Sequence, residues 1–165
     1  VDDFITETKL PIFLNLDHAI KEQSIRAAID FNFDLIHVDA STLPKEENLQ
    51  LTTKVTEWSH AKGLWCEGEL DHIQGSSDDH RNQNITDVTD AGLYTNPDEA
   101  FTFVRETKID TFAVFFGNVH GLYAGKKILD FDLLTRVAKK LPCFLSMHQK
   151  NSLSIPPCER NWAGT

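Results

Sequence analysis

Short apolar runs alternate with amphipathic segments along this chain, and the alternation limits the folds it can adopt. The runs are IFLNL (12–16), DLIHV (34–38), LWCEGEL (64–70), TFAVFFG (111–117) and PCFLSM (142–147). Each has the length of a strand, and the segments between them space their apolar residues for one face of a helix. Strands joined through crossover helices run parallel, because an antiparallel pair needs only a tight turn. The sequence therefore predicts an α/β fold with five parallel strands.

Local signals mark two helix starts and one exception to the alternation. In NPDEA (96–100), Asn96 can act as the N-cap, and Pro97 suits the first helical position. Asp130 is predicted to cap a second helix. The stretch 71–92 is polar, lacks apolar periodicity and is much longer than a usual βα loop. We interpret it as a loop that could serve as a lid.

Charge and cysteine content exclude several classes of function. Acidic residues outnumber basic ones 25 to 16, giving a net charge of -9, which argues against nucleic-acid or membrane-surface binding. No apolar stretch approaches the roughly 18 residues of a membrane span, and the first ten residues lack signal-peptide features. Cys66, Cys143 and Cys158 form no C-x-x-C pair, so free thiols in the cytoplasm are expected.

Chemically active side chains follow each predicted strand. In parallel α/β proteins function collects beyond the carboxyl ends of the strands, so these groups are expected to share one rim. They are Asp17 and His18, then Asp39 and Ser41, then Glu67 and Glu69, then Asn118 and His120, and finally His148.

Three of these residues, His18, His120 and His148, together with a nearby carboxylate would suit a zinc ion. Successive strand residues face opposite sides, so Asp17 and His18 can both reach the rim only if the chain leaves regular strand geometry there. One of the pair would then bind metal while the other handles protons.

Plainer interpretations compete with these. A single histidine at a strand end is more often structural than a ligand, and Asp39 could equally cap the next helix. His37 and His60 are interpreted as packing residues, and His72 as exposed. Gly68 is expected to leave room for close backbone approach.

Several motifs resemble the class II, metal-dependent ketose-bisphosphate aldolases, including their tagatose-bisphosphate branch. The resemblance covers residues 11 to about 148 and rests on LDHAIKEQSIRAAI, HVDASTLPKEENLQLTTKVTEWSH, CEGEL, GLYTNPDEAFTFV, FGNVHGLYAG and LDFDLL. It implies a (β/α)8 TIM barrel, of which residues 1–165 would form a single partial domain with about five βα units. It also implies cleavage of fructose or tagatose 1,6-bisphosphate to dihydroxyacetone phosphate and glyceraldehyde 3-phosphate.

The resemblance further implies roles for individual residues. Zinc would be held by His18, His120 and His148, and would stabilise the enediolate that cleavage leaves. Asp17 would exchange the proton on the substrate hydroxyl. The remaining implied positions are Glu69 as an alternative ligand, Asp39 at a second cation, and Gly121 and Asn151 at the phosphate, with Gly121 also near a monovalent cation (Na⁺ or K⁺).

The chain departs from the family pattern at several points. Asp71, Gln74 and Ser77 stand where glycines and a proton-shuttling glutamate are expected, and His148 is followed by QKNS in place of GGSG. The first two strands and the eighth have no match, so the chain is expected to belong to a longer protein, to form a homo-oligomer, or to associate with the missing strands.

These departures leave three hypotheses open. The first is an active zinc aldolase acting on a sugar phosphate. The second is an aldolase-like protein that binds metal or sugar phosphate, or assembles, without turnover. The third is an α/β fragment whose strand-end histidines are relics.

Overall fold

A computed structural model of the chain describes residues 6–10, 12–73, 94–118 and 129–146, and the backbone of 75–79 and 120–122. The first half alternates strand and helix: β1 (Asn15–Ala19), α1 (Glu22–Asp30), β2 (Leu35–Val38), α2 (Lys45–His60) and β3 (Trp65–Glu69). The second half contains β4 (Gly75–Asp79), α3 (Pro97–Thr107), β5 (Thr111–Ala113), β6 (His120–Leu122), α4 (Phe131–Lys140) and β7 (Phe144–Ser146).

Five strands form one sheet in the order β1-β2-β3-β5-β7. Every neighbouring pair is parallel, which confirms the prediction of a parallel α/β sheet. The strands of this sheet follow one another in chain order, as they do in a TIM barrel. Their carboxyl ends therefore lie at one edge of the sheet, where the candidate site is built.

The prediction of an uninterrupted loop over 71–92 is wrong in part. Gly75–Asp79 forms β4, which pairs in parallel with β6 in a separate two-stranded sheet. The sequence GSSDD has no apolar alternation, so the strand rests on backbone pairing that a hydropathy pattern cannot reveal. Residues 80–93 lie outside the described part of the chain, and the lid over them stays a prediction.

The hydrophobic core lies between the sheet and its helices. Alternate residues of a strand face opposite sides, so one face of each strand is available for the helices. The fully or almost fully buried residues include Ile36, Val38, Cys66 and Phe112 on the strands, and Ile25, Val55, Phe103 and Val137 on the helices. The other face of β2 and β3 carries polar side chains.

Gly68 allows α2 to pack closely against β3, as its position between two glutamates suggested. A Cβ added there would lie 3.0 Å from Cγ2 of Thr52 and 3.0 Å from Cδ1 of Ile109. Both atoms belong to β-branched side chains with little freedom to move. The contact fixes the distance between β3 and α2, and thereby the positions of Glu67 and Glu69 on β3.

Both predicted helix caps are confirmed. Oδ1 of Asn96 accepts a hydrogen bond from the Asp98 N–H at 2.9 Å, with Pro97 at the first helical position. Oδ1 of Asp130 accepts from the Leu133 N–H at 2.7 Å. Within the described ranges, no helix is both long enough and apolar enough to cross a membrane.

Candidate metal centre at the strand ends

The first strand carries a β-bulge at Asp17 and His18. β1 lies three residues further along the chain than the apolar run predicted, so it includes this pair. The residues on either side stay in register with β2, which leaves Asp17 and His18 together opposite the single residue His37. His18 has φ of 49°, in the left-handed region. This confirms that the chain leaves regular strand geometry here, and it accounts for both side chains reaching one rim.

The imidazole of His18 is anchored by Asp39. Nδ1 of His18 lies 2.7 Å from Oδ2 of Asp39, and Oγ of Ser41 donates to Oδ1 of Asp39 at 2.6 Å. The hydrogen bond from Asp39 raises the pKa of His18 despite the opposing effect of burial. Burial would raise the pKa of Asp39, but hydrogen bonds from His18 and Ser41 hold it well below its usual range.

Asp39 does not cap the following helix. The N-cap of α2 is Pro44, which has no side-chain cap hydrogen bond. The capping interpretation of Asp39 is therefore wrong, because its carboxylate contacts His18 on β1 and Ser41 two residues further along its own chain.

His37 is buried within β2, as its interpretation as a packing residue predicted, but the groups that it contacts are those of the polar cluster. The ring is completely buried, and its Nδ1 accepts the backbone N–H of His18 at 3.3 Å. The same nitrogen lies 3.4 Å from Oδ1 of Asp17, and Nε2 lies 3.5 Å from Oε2 of Glu69. The centroids of the His18 and His37 rings are 4.6 Å apart. Asp39 follows the end of β2 two residues after His37, and this spacing along an extended chain was the signal that could have found His37.

The carboxylates around His37 control its ionisation. Burial alone would lower the pKa of the imidazole. The carboxylates of Asp17, Glu69 and Glu67 act against that effect and raise the pKa of His37, whereas the His18 N–H disfavours a proton on Nδ1, the nitrogen that it faces.

Glu67 and Glu69 occupy the same face of β3, as their spacing predicted, and both are buried. Oε1 of Glu69 accepts the N–H of Ile73 at 3.2 Å. Oε1 of Glu67 accepts a hydrogen bond from Oγ of Ser146 on β7. Hydrogen bonds therefore orient both carboxylates inside the cluster.

The structure brings four of the predicted site residues together, namely Asp17, His18, Asp39 and Glu69, and adds His37 to them. Donor atoms of Asp17, His18 and His37 lie within 4.8 Å of one another, as do those of His18, Asp39 and Glu69. Imidazole nitrogens and carboxylate oxygens are the donor types that Zn²⁺ accepts. The donor set of the described residues therefore fits a divalent cation.

Other predicted site residues lie outside what the structure describes. His120 and Gly121 are placed only by the backbone of β6, and His148 and Asn151 fall beyond residue 146. The convergence of His120 and His148 with His18 stays a prediction.

Two further histidines lie apart from the cluster. Nε2 of His60 lies 2.9 Å from Oδ2 of Asp110, which also accepts the Cys66 N–H at 2.8 Å. His60 therefore makes a polar contact with Asp110 at the end of α2 instead of packing in the core. His72 is exposed, as predicted, with Nδ1 3.3 Å from Oγ of Ser41.

Fold and site together define a class of protein. Parallel strands in chain order, with imidazoles and carboxylates gathered at their carboxyl ends, are the arrangement of α/β-barrel proteins whose site lies on that face. The sequence profile described as fructose-bisphosphate aldolase class-II matches residues 1–155. The chain belongs to this family.

Relatives and solved structures agree with that assignment. The chain is 34% identical over 139 residues to a fructose-bisphosphate aldolase of Staphylococcus epidermidis, covering 84% of this chain and 46% of the relative. It is 34% identical over 151 residues to a fructose-bisphosphate aldolase of Geobacillus stearothermophilus, covering 92% and 50%. The chain thus spans about half the length of these curated relatives.

The YdjI aldolase from Escherichia coli K12 superposes with a TM-score of 0.72 at 27% identity, covering 88% of this chain and 48% of that one. A fructose-bisphosphate aldolase from Campylobacter jejuni superposes with a TM-score of 0.57 at 25% identity, covering 80% and 41%. The five-stranded sheet is therefore TIM-barrel-like and corresponds to part of an aldolase chain.

Proposed function

We propose that this chain forms part of a metal-dependent aldolase that cleaves a ketose 1,6-bisphosphate, fructose or tagatose, to dihydroxyacetone phosphate and glyceraldehyde 3-phosphate. The observation that carries the proposal is the cluster of Asp17, His18, Asp39 and Glu69 at the carboxyl ends of three neighbouring strands. Membership of the class-II family supports it.

His18 is the proposed metal ligand whose side-chain contacts the structure describes. Because Nδ1 of His18 is held by Asp39, the nitrogen available to zinc is Nε2. His120 and His148 would complete the imidazole set, with Glu69 as an alternative ligand and Asp39 near a second cation. A bound zinc ion would supply Lewis-acid stabilisation of the negative charge left by carbon-carbon cleavage.

Asp17 is the proposed proton carrier. Its side chain is 61% exposed, in contrast to the buried Glu67 and Glu69, so it can meet a substrate at the rim. Its Oδ1 lies 4.0 Å from Nε2 of His18, which would place proton transfer beside the metal. A general acid-base group of this kind typically contributes about 10²–10⁴ in rate.

Binding of the phosphate groups is assigned to Gly121 and Asn151, with a monovalent cation, Na⁺ or K⁺, near Gly121. The net charge of -9 means that a bisphosphate needs local positive charge or backbone donors to bind. A metal ion and amide N–H groups near glycine would supply both.

An assay that couples triose-phosphate formation to oxidation of a nicotinamide cofactor tests the proposal on the purified chain. We expect cleavage of fructose or tagatose bisphosphate that a chelator abolishes and zinc restores. Asp17→Asn should lower the rate by about 10²–10⁴, whereas Asp30→Asn, an exposed acid at the end of α1, should not. Cleavage that persists in the chelator, or equal rates in the two variants, would refute the proposed chemistry.

The open edges of the sheet favour a second candidate function, in which the chain associates with other barrel strands but does not catalyse cleavage. Among the described residues, β1 and β7 each pair with only one strand, and the curated relatives are about twice as long. Phe13, Trp65 and Phe144 are 75%, 51% and 49% exposed, with the Trp65 and Phe144 rings stacked at 5.7 Å. We propose that further barrel strands, from the rest of the polypeptide or from a second copy, cover these residues.

Solution size, measured by light scattering, tests the association. A dimer or larger assembly that Trp65→Glu dissociates, with Glu106→Gln as an exposed control, is the expected result for this chain. A monodisperse monomer with unchanged folding would exclude self-association. If the association forms but the coupled assay finds no cleavage, the binding or assembly function is the one retained.

A further inference from the structure

We propose that His37 is a positioning residue, whose ring holds the Asp17–His18 bulge in the conformation that presents both side chains to the rim. The inference rests on the proposed function for what the rim does, but its geometric part concerns the folded chain alone. The resemblance to class II aldolases implies no role for this histidine.

The bulge at Asp17 and His18 needs a stabilising contact. His18 has φ of 49°, which is unfavourable for a residue with a Cβ. The bulge also interrupts the pairing of β1 with β2, so the backbone groups within it lose their regular strand partners. Without a replacement, the His18 N–H would be left to pair elsewhere.

His37 supplies this contact. His37 is the single β2 residue opposite the bulge, and its Nδ1 accepts the His18 N–H at 3.3 Å. The same ring lies 3.4 Å from Oδ1 of Asp17, so one side chain touches both residues of the bulge. Complete burial prevents the ring from exchanging this contact for water.

Glu69 lies against the other edge of the His37 ring. When Nδ1 accepts a hydrogen bond, the proton of the neutral imidazole is on Nε2, which faces Oε2 of Glu69 at 3.5 Å. Glu69 is itself buried and held by the Ile73 N–H. The backbone of β1, the ring on β2 and the carboxylate on β3 thus form one connected unit.

A role for His37 as a metal ligand is the alternative. Donor atoms of Asp17, His18 and His37 lie within 4.8 Å of one another. A metal on Nδ1 would have to displace the His18 N–H, whereas a metal on Nε2 would share the 3.5 Å space between that nitrogen and Oε2 of Glu69. The contact of Nδ1 therefore favours positioning over ligation by that nitrogen, and the variants decide the role of Nε2.

Two variants separate these roles. His37→Asn keeps an acceptor at the δ position but is a poor metal ligand, whereas His37→Leu removes every polar atom. His60→Leu is the matched control, because it removes a histidine paired with Asp110 outside the cluster.

The first measurement is hydrogen exchange of the His18 amide by NMR in the metal-free chain. We expect slow exchange in the wild type and in His37→Asn, and fast exchange in His37→Leu. The second measurement is titration with Co²⁺, followed by its visible absorption. We expect affinity to fall about 10- to 100-fold in His37→Leu, with His37→Asn and His60→Leu close to the wild type.

The possible outcomes distinguish a positioning role of His37 from a role as a metal ligand. An unprotected His18 amide in the wild type overturns the proposal even if His37→Leu fails to fold. Equal loss of Co²⁺ binding in His37→Asn and His37→Leu, with the amide still protected in His37→Asn, would make His37 a ligand and also overturn it. If the wild type binds no Co²⁺, the proposed metal function fails, and amide exchange alone judges the positioning role.

Discussion

Nδ1 of His18 and Oδ2 of Asp39 are 2.7 Å apart and join the first two strands of the sheet at their carboxyl ends. A carboxylate on one ring nitrogen fixes the orientation of a histidine and makes its other nitrogen a better metal ligand. Asp39 is in turn held by the hydroxyl of Ser41. The orientation of the proposed ligand therefore depends on residues from two strands.

Asp39→Asn is expected to weaken zinc binding. The amide keeps the shape of the side chain but loses the negative charge that faces the imidazole, and loss of such a partner typically costs about 10- to 100-fold in metal affinity. Competition with a chromophoric chelator measures the change. Asp30→Asn is the control, because it makes the same chemical change at an exposed acid at the end of α1. Equal zinc affinities of Asp39→Asn and the wild type would contradict the orienting role.

Gly68→Ala is expected to destabilise the fold. The new methyl would lie 3.0 Å from both Thr52 and Ile109, and such overpacking costs about 1–3 kcal/mol of unfolding free energy. Alanine also reduces the conformational freedom of the unfolded chain, which raises the free energy of unfolding by only about 0.4–1 kcal/mol. The net effect should therefore be destabilising. Urea denaturation measures it.

Thr52→Ser provides the matched test for this contact. It removes Cγ2 but retains the hydroxyl that donates to Oδ1 of Asn48. In the double variant with Gly68→Ala, part of the lost stability should return. Strictly additive effects of the two changes would show that the methyl groups do not meet.

Asn96→Ala is expected to destabilise the start of α3. Oδ1 of Asn96 accepts the N–H of Asp98, and replacement of such a cap by alanine costs about 0.5–2 kcal/mol. Asn96→Gly should lower the free energy of unfolding by only roughly 0.3 kcal/mol, because glycine is itself an acceptable N-cap. Thermal unfolding of the two variants should rank glycine above alanine, and the reverse order would contradict the capping role.

The thiol of Cys66 is expected to be unreactive in the folded chain. Burial raises its pKa from 9.0 to about 12. The folded state therefore keeps this proton at pH values where the unfolded state has lost it. The contribution of Cys66 to stability is complete below pH 9 and is lost as the pH rises towards 12.

Site-resolved alkylation measures this prediction. At pH 8, Cys66 should react slowly in the native chain and rapidly in urea, and its native rate should keep rising with pH beyond 9. Cys143 is also buried and serves as the comparison within the same sample. A native alkylation rate for Cys66 that levels off near pH 9 would show that the pKa of this thiol is not raised by folding.

Much of the framework was predictable because it depends on local signals. The apolar runs around Ile36, Cys66 and Phe112 predicted the strands, and the caps at Asn96 and Asp130 act within one turn of a helix. The strand at Gly75–Asp79 was missed because its side chains carry no pattern and its partner, β6, lies more than forty residues away.

The sequence by itself determined that this chain forms a parallel α/β sheet and brings Asp17, His18, Asp39 and Glu69 to one edge of it. Periodicity and crossover length are properties of neighbouring residues, so they can be recognised without the fold. Only the tertiary structure decided that Asp17 and His18 share a bulge and that His37 faces it from the next strand. Register and ring orientation arise from pairing between distant segments, and hydrogen bonds across strands fix them only once the sheet has formed.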